Sequence, residues 1–372
     1  MRFRLNHSDG KYHVYSIACT GEVQEDLNKQ GLDYWFVSDG TVFSSVDGTI
    51  VSVSDTDKIG LLKDYDVVEV YPSGLVSVFY EDTSGDAVFC VSDKCNSNCI
   101  MCPTGEETRR TGEICSASRL IELARHIPSD IEHITITGGE PFMMCEDIFP
   151  FLTYLRSRFL NTEFLFLTNG RALSIPEYCE RLKSSVPNNI CFGIPVHASS
   201  GKLHDRITQS KGSFEQTQDG VYNLLQMKMK VEIRIVVNKL NGDDMLRTAQ
   251  LIADSYHDID HVCIMAMEMT GNAYKNREAV WLPYKQAFQK IKQPVDLLMS
   301  NGIDVRLYNF PLCTVDPAYW TLCKKSITPY KIRYSESCTK CRMKEDCGGV
   351  FGSTFKFEEQ ELVDRKLISY TN

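Results

Sequence analysis

Three cysteines, Cys95, Cys99 and Cys102, follow one another at intervals of four and three in KCNSNCIMC. Thiolates at this density bind metal, and the number of ligands on the loop narrows the choice. A structural zinc ion takes four protein ligands, commonly two separated Cys-x2-Cys pairs. One loop with three suits a cubane of four irons, in which three thiolates leave one iron open to an outside ligand, as a catalytic cluster requires. Asn96, Ser97 and Asn98 are small polar residues that let a loop fold tightly around an inorganic core. Downstream, ITITGGEPF ends an apolar run on Gly138-Gly139-Glu140-Pro141. Its glycines admit torsions barred to other residues, and Pro141 fixes the exit. A tight strand-to-helix turn would account for one such glycine, not for the whole motif.

A second group lies near the C-terminus, where SCTKCRMKEDCGGVF spaces Cys338, Cys341 and Cys347 as Cys-x2-Cys-x5-Cys. A fourth ligand is wanted. Cys313 in YNFPLCTVDP ends a strand-like run beside prolines and is preferred to Cys323 in WTLCKKS, which reads as a helical turn. Four thiolates complete either a closed cluster or a zinc site, and the spacing alone does not choose.

The elements that must position these loops are legible as period and length. AVFCVS, EHITIT, EFLFLTN, NICFGIPVH, VEIRIVVNK and HVCIMAME are apolar runs, each followed by a helix-length segment. Strands apolar on both faces and widely separated fit a parallel sheet joined by crossover helices. The expected fold is therefore α/β: a partial (β/α)6 TIM-like barrel over residues 86–300, with its chemistry on the loops leaving the strands' C-terminal ends. The first strand runs into Cys95 and the second into Gly138, so both loops open on one face. Residues 1–85 read as a small β-rich module, with two Asp-Gly turns and a hairpin around Pro72-Ser73-Gly74. Residues 301–372 form the cysteine-rich C-terminal part.

A formal charge of -9 gives no support for a broad phosphate-binding surface, so nucleic acid is not an expected partner. The N-terminal stretch lacks the apolar core of a signal peptide and no run is long enough to span a membrane, which points to a cytoplasmic protein. Fifteen cysteines in a reducing compartment are then metal ligands plus buried packing residues rather than a disulfide framework.

The Cys-x3-Cys-x2-Cys loop after the first strand, with Gly-Gly-Glu-Pro after the second, resembles the radical SAM superfamily. The resemblance implies a 4Fe-4S cluster on Cys95, Cys99 and Cys102, S-adenosylmethionine on the open iron, and hydrogen abstraction by a 5'-deoxyadenosyl radical. It implies cofactor contacts from Gly138, Gly139, Glu140 and Pro141, the glycines letting backbone groups approach the methionyl ammonium. Met101 stands where the superfamily usually has an aromatic residue, and its thioether can pack beside adenine. Arg234, charged within an apolar strand, is a candidate for the cofactor carboxylate, with a salt bridge to a strand neighbour as the alternative. Thr168-Asn169-Gly170 resembles a turn often seen after the third strand, and His197 and Glu268 are polar groups at strand ends.

The tail is similar to the abbreviated SPASM, or twitch, domain of radical SAM maturases, implying one auxiliary 4Fe-4S cluster on Cys313, Cys338, Cys341 and Cys347. The full domain continues with a further Cys-x3-Cys step, but position 351 is Phe, so one auxiliary cluster is the expected count. Over residues 65 to 355, KCNSNCIMC, ITITGGEPF, MAMEMTGNA, LYNFPLCTVDPAYW, KKSITPYK and CTKCRMKEDCGGVF together are similar to the radical SAM maturase of the His-Xaa-Ser peptide system. That implies a ribosomally made precursor peptide as substrate, a second radical SAM maturase beside it, and a reducing donor such as flavodoxin or ferredoxin. The alternatives are a radical SAM enzyme acting on a small molecule or protein side chain, and a catalytically silent, zinc-stabilised binding protein.

Overall fold

The computed structural model describes residues 1–358; the end of the C-terminal part, from residue 359 on, lies outside the described residues. The first seven strands are β1 (Arg2–Arg4), β2 (His13–Ala18), β3 (Tyr34–Ser38), β4 (Thr41–Ser44), β5 (Ile50–Val51), β6 (Val67–Val70) and β7 (Leu75–Tyr80). They form one sheet in the order β1-β7-β6-β2-β3-β4-β5. Asp39-Gly40 and Asp47-Gly48 lie between antiparallel partners, and Pro72-Ser73-Gly74 turns β6 into β7, as the sequence indicates. β2 and β3 run parallel, which demands a crossover. The helix Gly21–Gln30 supplies it, with the Thr20 side chain capping its start and Gly31 in the left-handed conformation at its end. Only Val23 and Leu27 of this helix are buried, too thin a stripe to stand out as a period in the sequence.

The second sheet holds eight strands side by side in chain order: β8 (Asp86–Ser92), β9 (His133–Gly138), β10 (Glu163–Leu167), β11 (Ile190–Pro195), β12 (Lys230–Val236), β13 (His261–Met265), β14 (Val305–Tyr308) and β15 (Cys323–Lys324). All neighbours are parallel. β8 and β15 are the outermost strands of this curled, partial-barrel sheet, and an antiparallel bridge joins Ser92 at the end of β8 to Ile114. The first six strands are those read from the sequence. β14 and β15 carry the same sheet onward into the stretch assigned to the C-terminal part, because IDVRLY buries Val305 and Leu307 against the same core.

Alternation along the strands separates the two faces. On β12, Val231, Ile233 and Ile235 are fully buried in the core shared with the helices outside, so Glu232 and Arg234 point to the inner face. Each buried aliphatic side chain of this kind contributes about 1.5–3 kcal/mol. The first sheet packs on the helix Ala117–His126: the Arg119 guanidinium lies 4.6 Å from the Tyr12 ring and 5.3 Å from the Tyr71 ring, and donates to Glu69 Oε1 at 2.8 Å. Beyond β15, β16 (Ile332–Arg333) and β17 (Val350–Phe351) pair antiparallel and bracket the tail cysteines. Among the described residues no helix is long and apolar enough to cross a membrane.

Candidate functional site

The cysteine loop leaves the C-terminal end of β8 and is gripped by the turns after three other strands. From β9, Gly139 N donates to Ser92 O at 2.6 Å and Glu140 N to Lys94 O at 2.8 Å. Gly138 has φ +147°, and a side chain there would collide with the backbone of Ser92. A Cβ on Gly139 would stand 2.6 Å from Asp93 O and nearer still to Lys94 O. The two glycines are thus required by the chain that enters the cysteine loop. Glu140 is 1% exposed and its carboxylate accepts from Phe142 N at 3.1 Å, Thr168 Oγ1 at 2.7 Å and Asn169 N at 2.7 Å. Burial raises its pKa, and these donors oppose the rise. The side chain expected to meet a cofactor ties β9 to the turn after β10, and Pro141 and Phe142 beside it are buried.

That turn carries the hold onward. Asn169 Nδ2 donates to Asn96 Oδ1 at 2.6 Å and lies 3.9 Å from Cys95 Sγ. Arg171 Nη1 donates to Asn96 O at 2.6 Å and Ser97 Oγ at 3.1 Å. From the segment after β13, Asn272 N donates to Cys102 O at 2.9 Å, and its Nδ2 to Asn98 Oδ1 at 2.9 Å and Cys99 O at 3.1 Å. Asn276 Nδ2 donates to Ile100 O at 3.0 Å. Arg171, Asn272 and Asn276 were not singled out in the sequence. Asn272 sits in MAMEMTGNA, but nothing in its spacing shows a partner so far away in the chain.

Burial pushes the Cys99 thiol up to about 12, with Cys102 and Cys95 adding to it, so the three sulfurs share one field. Ser97 N–H points at Cys95 Sγ from 3.4 Å. Burial raises the Cys95 thiol as well; Arg109, 6% exposed and donating to Asn98 Oδ1, opposes the rise at Cys95 and Cys99 and leaves its buried Nε without a partner among the described residues. Three thiols in one loop, an N–H aimed at sulfur and a buried cation beside them fit an anionic iron–sulfur cluster with one open iron.

The remaining candidates have other partners. Met101 is 5% exposed and packs with Ile207, Met267, Met269, Ala273 and Val280 in an apolar cluster that Cys99 and Ile100 also join. Arg234 is paired with Glu232 on its own strand, with Nη2 3.3 Å from Met265 Sδ. The strand-neighbour alternative therefore describes its geometry, and no contact joins it to the cysteine loop among the described residues. Glu268 lies 3.6 Å from Lys331 Nζ. His197 is 3% exposed and stacks on His204; burial drives the two to about 3 and about 4, so both are neutral.

In the tail, Cys338 to Cys347 wind through successive tight turns, Cys341 N donating to Cys338 O and Cys347 N to Lys344 O, both at 3.2 Å. Burial raises the Cys347 thiol pKa, N–H groups of Gly349 and Leu312 oppose this, and the charges of Cys338 and Cys341 add to it. The Leu312 contact brings the Cys313 turn to Cys347. Cys323 begins a strand rather than lying in a helical turn; burial and then Cys347 push its thiol up to about 12. Cys347 thus stands near both candidates for fourth ligand.

Residues 89–252, from β8 into the helix that follows β12, match the family model described as Radical SAM superfamily. Two curated relatives come from Methanosarcina barkeri. An AdoMet-dependent heme synthase is 24% identical over 172 residues, 44% of this chain and 46% of that one. An Fe-coproporphyrin III synthase is 23% identical over 250 residues, 66% of this chain and 58% of that one. The chain thus spans about half the length of these relatives. Among solved structures, Streptococcus suis SuiB bound to precursor peptide SuiA is similar with a TM-score of 0.49 and 14% identity, covering 60% of this chain and 48% of that one. The anSMEcpe structure with bound AdoMet and Cp18Cys peptide has a TM-score of 0.46 and 15% identity, covering 59% and 62%.

Proposed function

We propose that this chain is a radical SAM enzyme that modifies a ribosomally made peptide of the His-Xaa-Ser type, joining residues after hydrogen abstraction. The observation that carries the radical chemistry is the three-thiol loop of Cys95, Cys99 and Cys102, held by turns from three further strands with buried Arg109 beside it. A 4Fe-4S cluster with S-adenosylmethionine on its open iron supplies the carbon radical that removes hydrogen atoms. The chain's own part is to hold three thiolates, balance their charge with Arg109 and pack the loop against the apolar cluster of Met101, Met267 and Met269. Cys338, Cys341 and Cys347, with Cys313 or Cys323, hold one auxiliary cluster; an outside reductant such as flavodoxin or ferredoxin and a second maturase complete the system.

Support for a peptide substrate is the residue likeness to the His-Xaa-Ser maturases. The heme-synthase names of the curated relatives favour the second reading, a small-molecule substrate. The deciding experiment reconstitutes the full chain without oxygen, supplies S-adenosylmethionine and dithionite, and offers a His-Xaa-Ser repeat peptide and, separately, Fe-coproporphyrin III. A peptide that loses two hydrogens by mass spectrometry supports the first reading, and a changed mass of the porphyrin the second. About eight irons and eight sulfides are expected per chain. Zinc alone after reconstitution, with no 5'-deoxyadenosine formed, would show a silent binding protein.

A further inference from the structure

Away from both cysteine loops, the inner face of the sheet carries a buried group to which the proposed reaction assigns no role. Glu232 on β12 and His261 on β13 are register partners, and Cys263 follows two residues along β13. Glu232 is 4% exposed, His261 3% and Cys263 fully buried. One ligating atom from each lies within 4.8 Å of the other two. Cys263 Sγ is 3.9 Å from Glu232 Oε2, and His261 Nε2 is 2.9 Å from the same oxygen. His261 Nε2 is shut away from solvent and faces that carboxylate oxygen without the in-line geometry of a hydrogen bond. Its other nitrogen is committed: Nδ1 lies 2.7 Å from Asp260 Oδ2.

We propose that Glu232 Oε2, His261 Nε2 and Cys263 Sγ form a zinc site on the inner face of the barrel sheet. The chemistry of the donor set favours zinc: one imidazole, one thiolate and one carboxylate are borderline-soft ligands, and three of them leave a fourth tetrahedral position open. Bonds of about 2.0–2.3 Å in a tetrahedron place donor atoms about 3.3–3.7 Å apart, so small side-chain shifts suffice. A carboxylate on Nδ1 is the usual way a ligating histidine is oriented with Nε2 toward the metal, and Asp260 provides it. The second carboxylate oxygen, Glu232 Oε1, is held by Arg234, which stops the ligand from rotating. Glycine at 193, the register partner of Glu232, makes the space: a Cβ there would lie 2.9 Å from Oε1. When zinc binds, the Cys263 thiol gives up its proton to solvent, as does any imidazole proton on Nε2.

The test uses the full chain reconstituted with iron and sulfide, incubated with one equivalent of zinc sulfate and desalted. Mass spectrometry of the metals is expected to give about one zinc per chain beyond the iron, and zinc K-edge absorption a shell of one sulfur with nitrogen and oxygen. Cys263→Ser, nearly isosteric, is expected to retain at least tenfold less zinc with its iron content unchanged. Three results would overturn the proposal. Wild-type protein holding no zinc means that His261 is simply an imidazole locked between two carboxylates; a shell of four sulfurs places zinc in the tail cysteines; and undiminished zinc in Cys263→Ser excludes this thiol. The wild-type absorption spectrum decides the matter alone if the variant does not fold.

Discussion

Glu140 is the residue on which the site's geometry turns, because one carboxylate satisfies three donors from two loops. Glu140→Gln keeps the shape but turns an amide group toward N–H and O–H donors, leaving at least one of them unmatched at a cost of about 1–3 kcal/mol. The thermal midpoint should fall by several degrees, and iron retained after desalting should drop as the 168–170 turn loosens from Asn96. Gly139→Ala tests a different contact. Its new methyl meets the Asp93 and Lys94 carbonyls, which cannot move without moving Cys95. Overpacking of this kind costs about 1–3 kcal/mol, so the same two measurements should fall together. If Gly139→Ala loads iron as the wild type does, the glycine serves the cofactor and not the loop.

Elements are held as much by side chains at strand ends as by the sheet. Asn272 makes two side-chain bonds into the cysteine loop and accepts from Glu106 N at 3.0 Å, so Asn272→Ala should release the loop while β13 stays paired. Slower iron uptake with unchanged far-ultraviolet dichroism is the expected result. The stacked pair His197 and His204, at the end of β11 and in the helix Gly201–Thr208, predicts acid sensitivity. Their folded pKa values lie below the ordinary 6.5, so the unfolded chain binds more protons between those limits. Their stabilisation is complete above about pH 6.5 and is lost as pH falls toward 4, about 3 kcal/mol for His204 alone. Unfolding midpoints measured from pH 7.5 to 5 should fall less in His204→Gln than in the wild type.

What was legible at this scale follows from run length. Six strands announced themselves as apolar runs, and the Asp-Gly and Pro-Ser-Gly turns as hairpins. β14 was legible only as the strand-like run before Cys313 and β15 not at all, because four and two residues carry too little pattern to join them to the sheet. The cysteine loop was legible because its ligands are local in sequence. Arg234 was ambiguous because its partner is two residues away on the same strand face, which pattern alone cannot distinguish from a free charge. The distant Asn and Arg clamps were invisible, since hydrogen bonding across more than 70 residues leaves no spacing to read.

At the scale of the molecule, Arg119 latches the first sheet to the barrel's outer helix. Arg119→Ala would leave the Glu69 carboxylate, 6% exposed, beside two tyrosines without its cation. Breaking a buried pair in this way costs about 3–5 kcal/mol. Limited proteolysis should then cut within residues 1–85 well before the rest of the chain, with iron content retained. The tail poses a choice between Cys313 and Cys323, and paired Cys→Ala variants decide it. The true fourth ligand should lose up to four irons, about one cluster, and the other none, by metal analysis of reconstituted protein.

The clamp on the cysteine loop also fixes when the metal centre can be built. Asn98 and Asn272 are 174 residues apart, and the loop has its final shape only when both are in place. A nascent chain displays all three thiols long before the ribosome has made Asn272, at about 5–20 residues per second. During that interval the thiols are exposed to oxidants and stray metals without their clamp. The loop's final shape therefore waits on the distal half of the barrel, although its thiols are made early in synthesis.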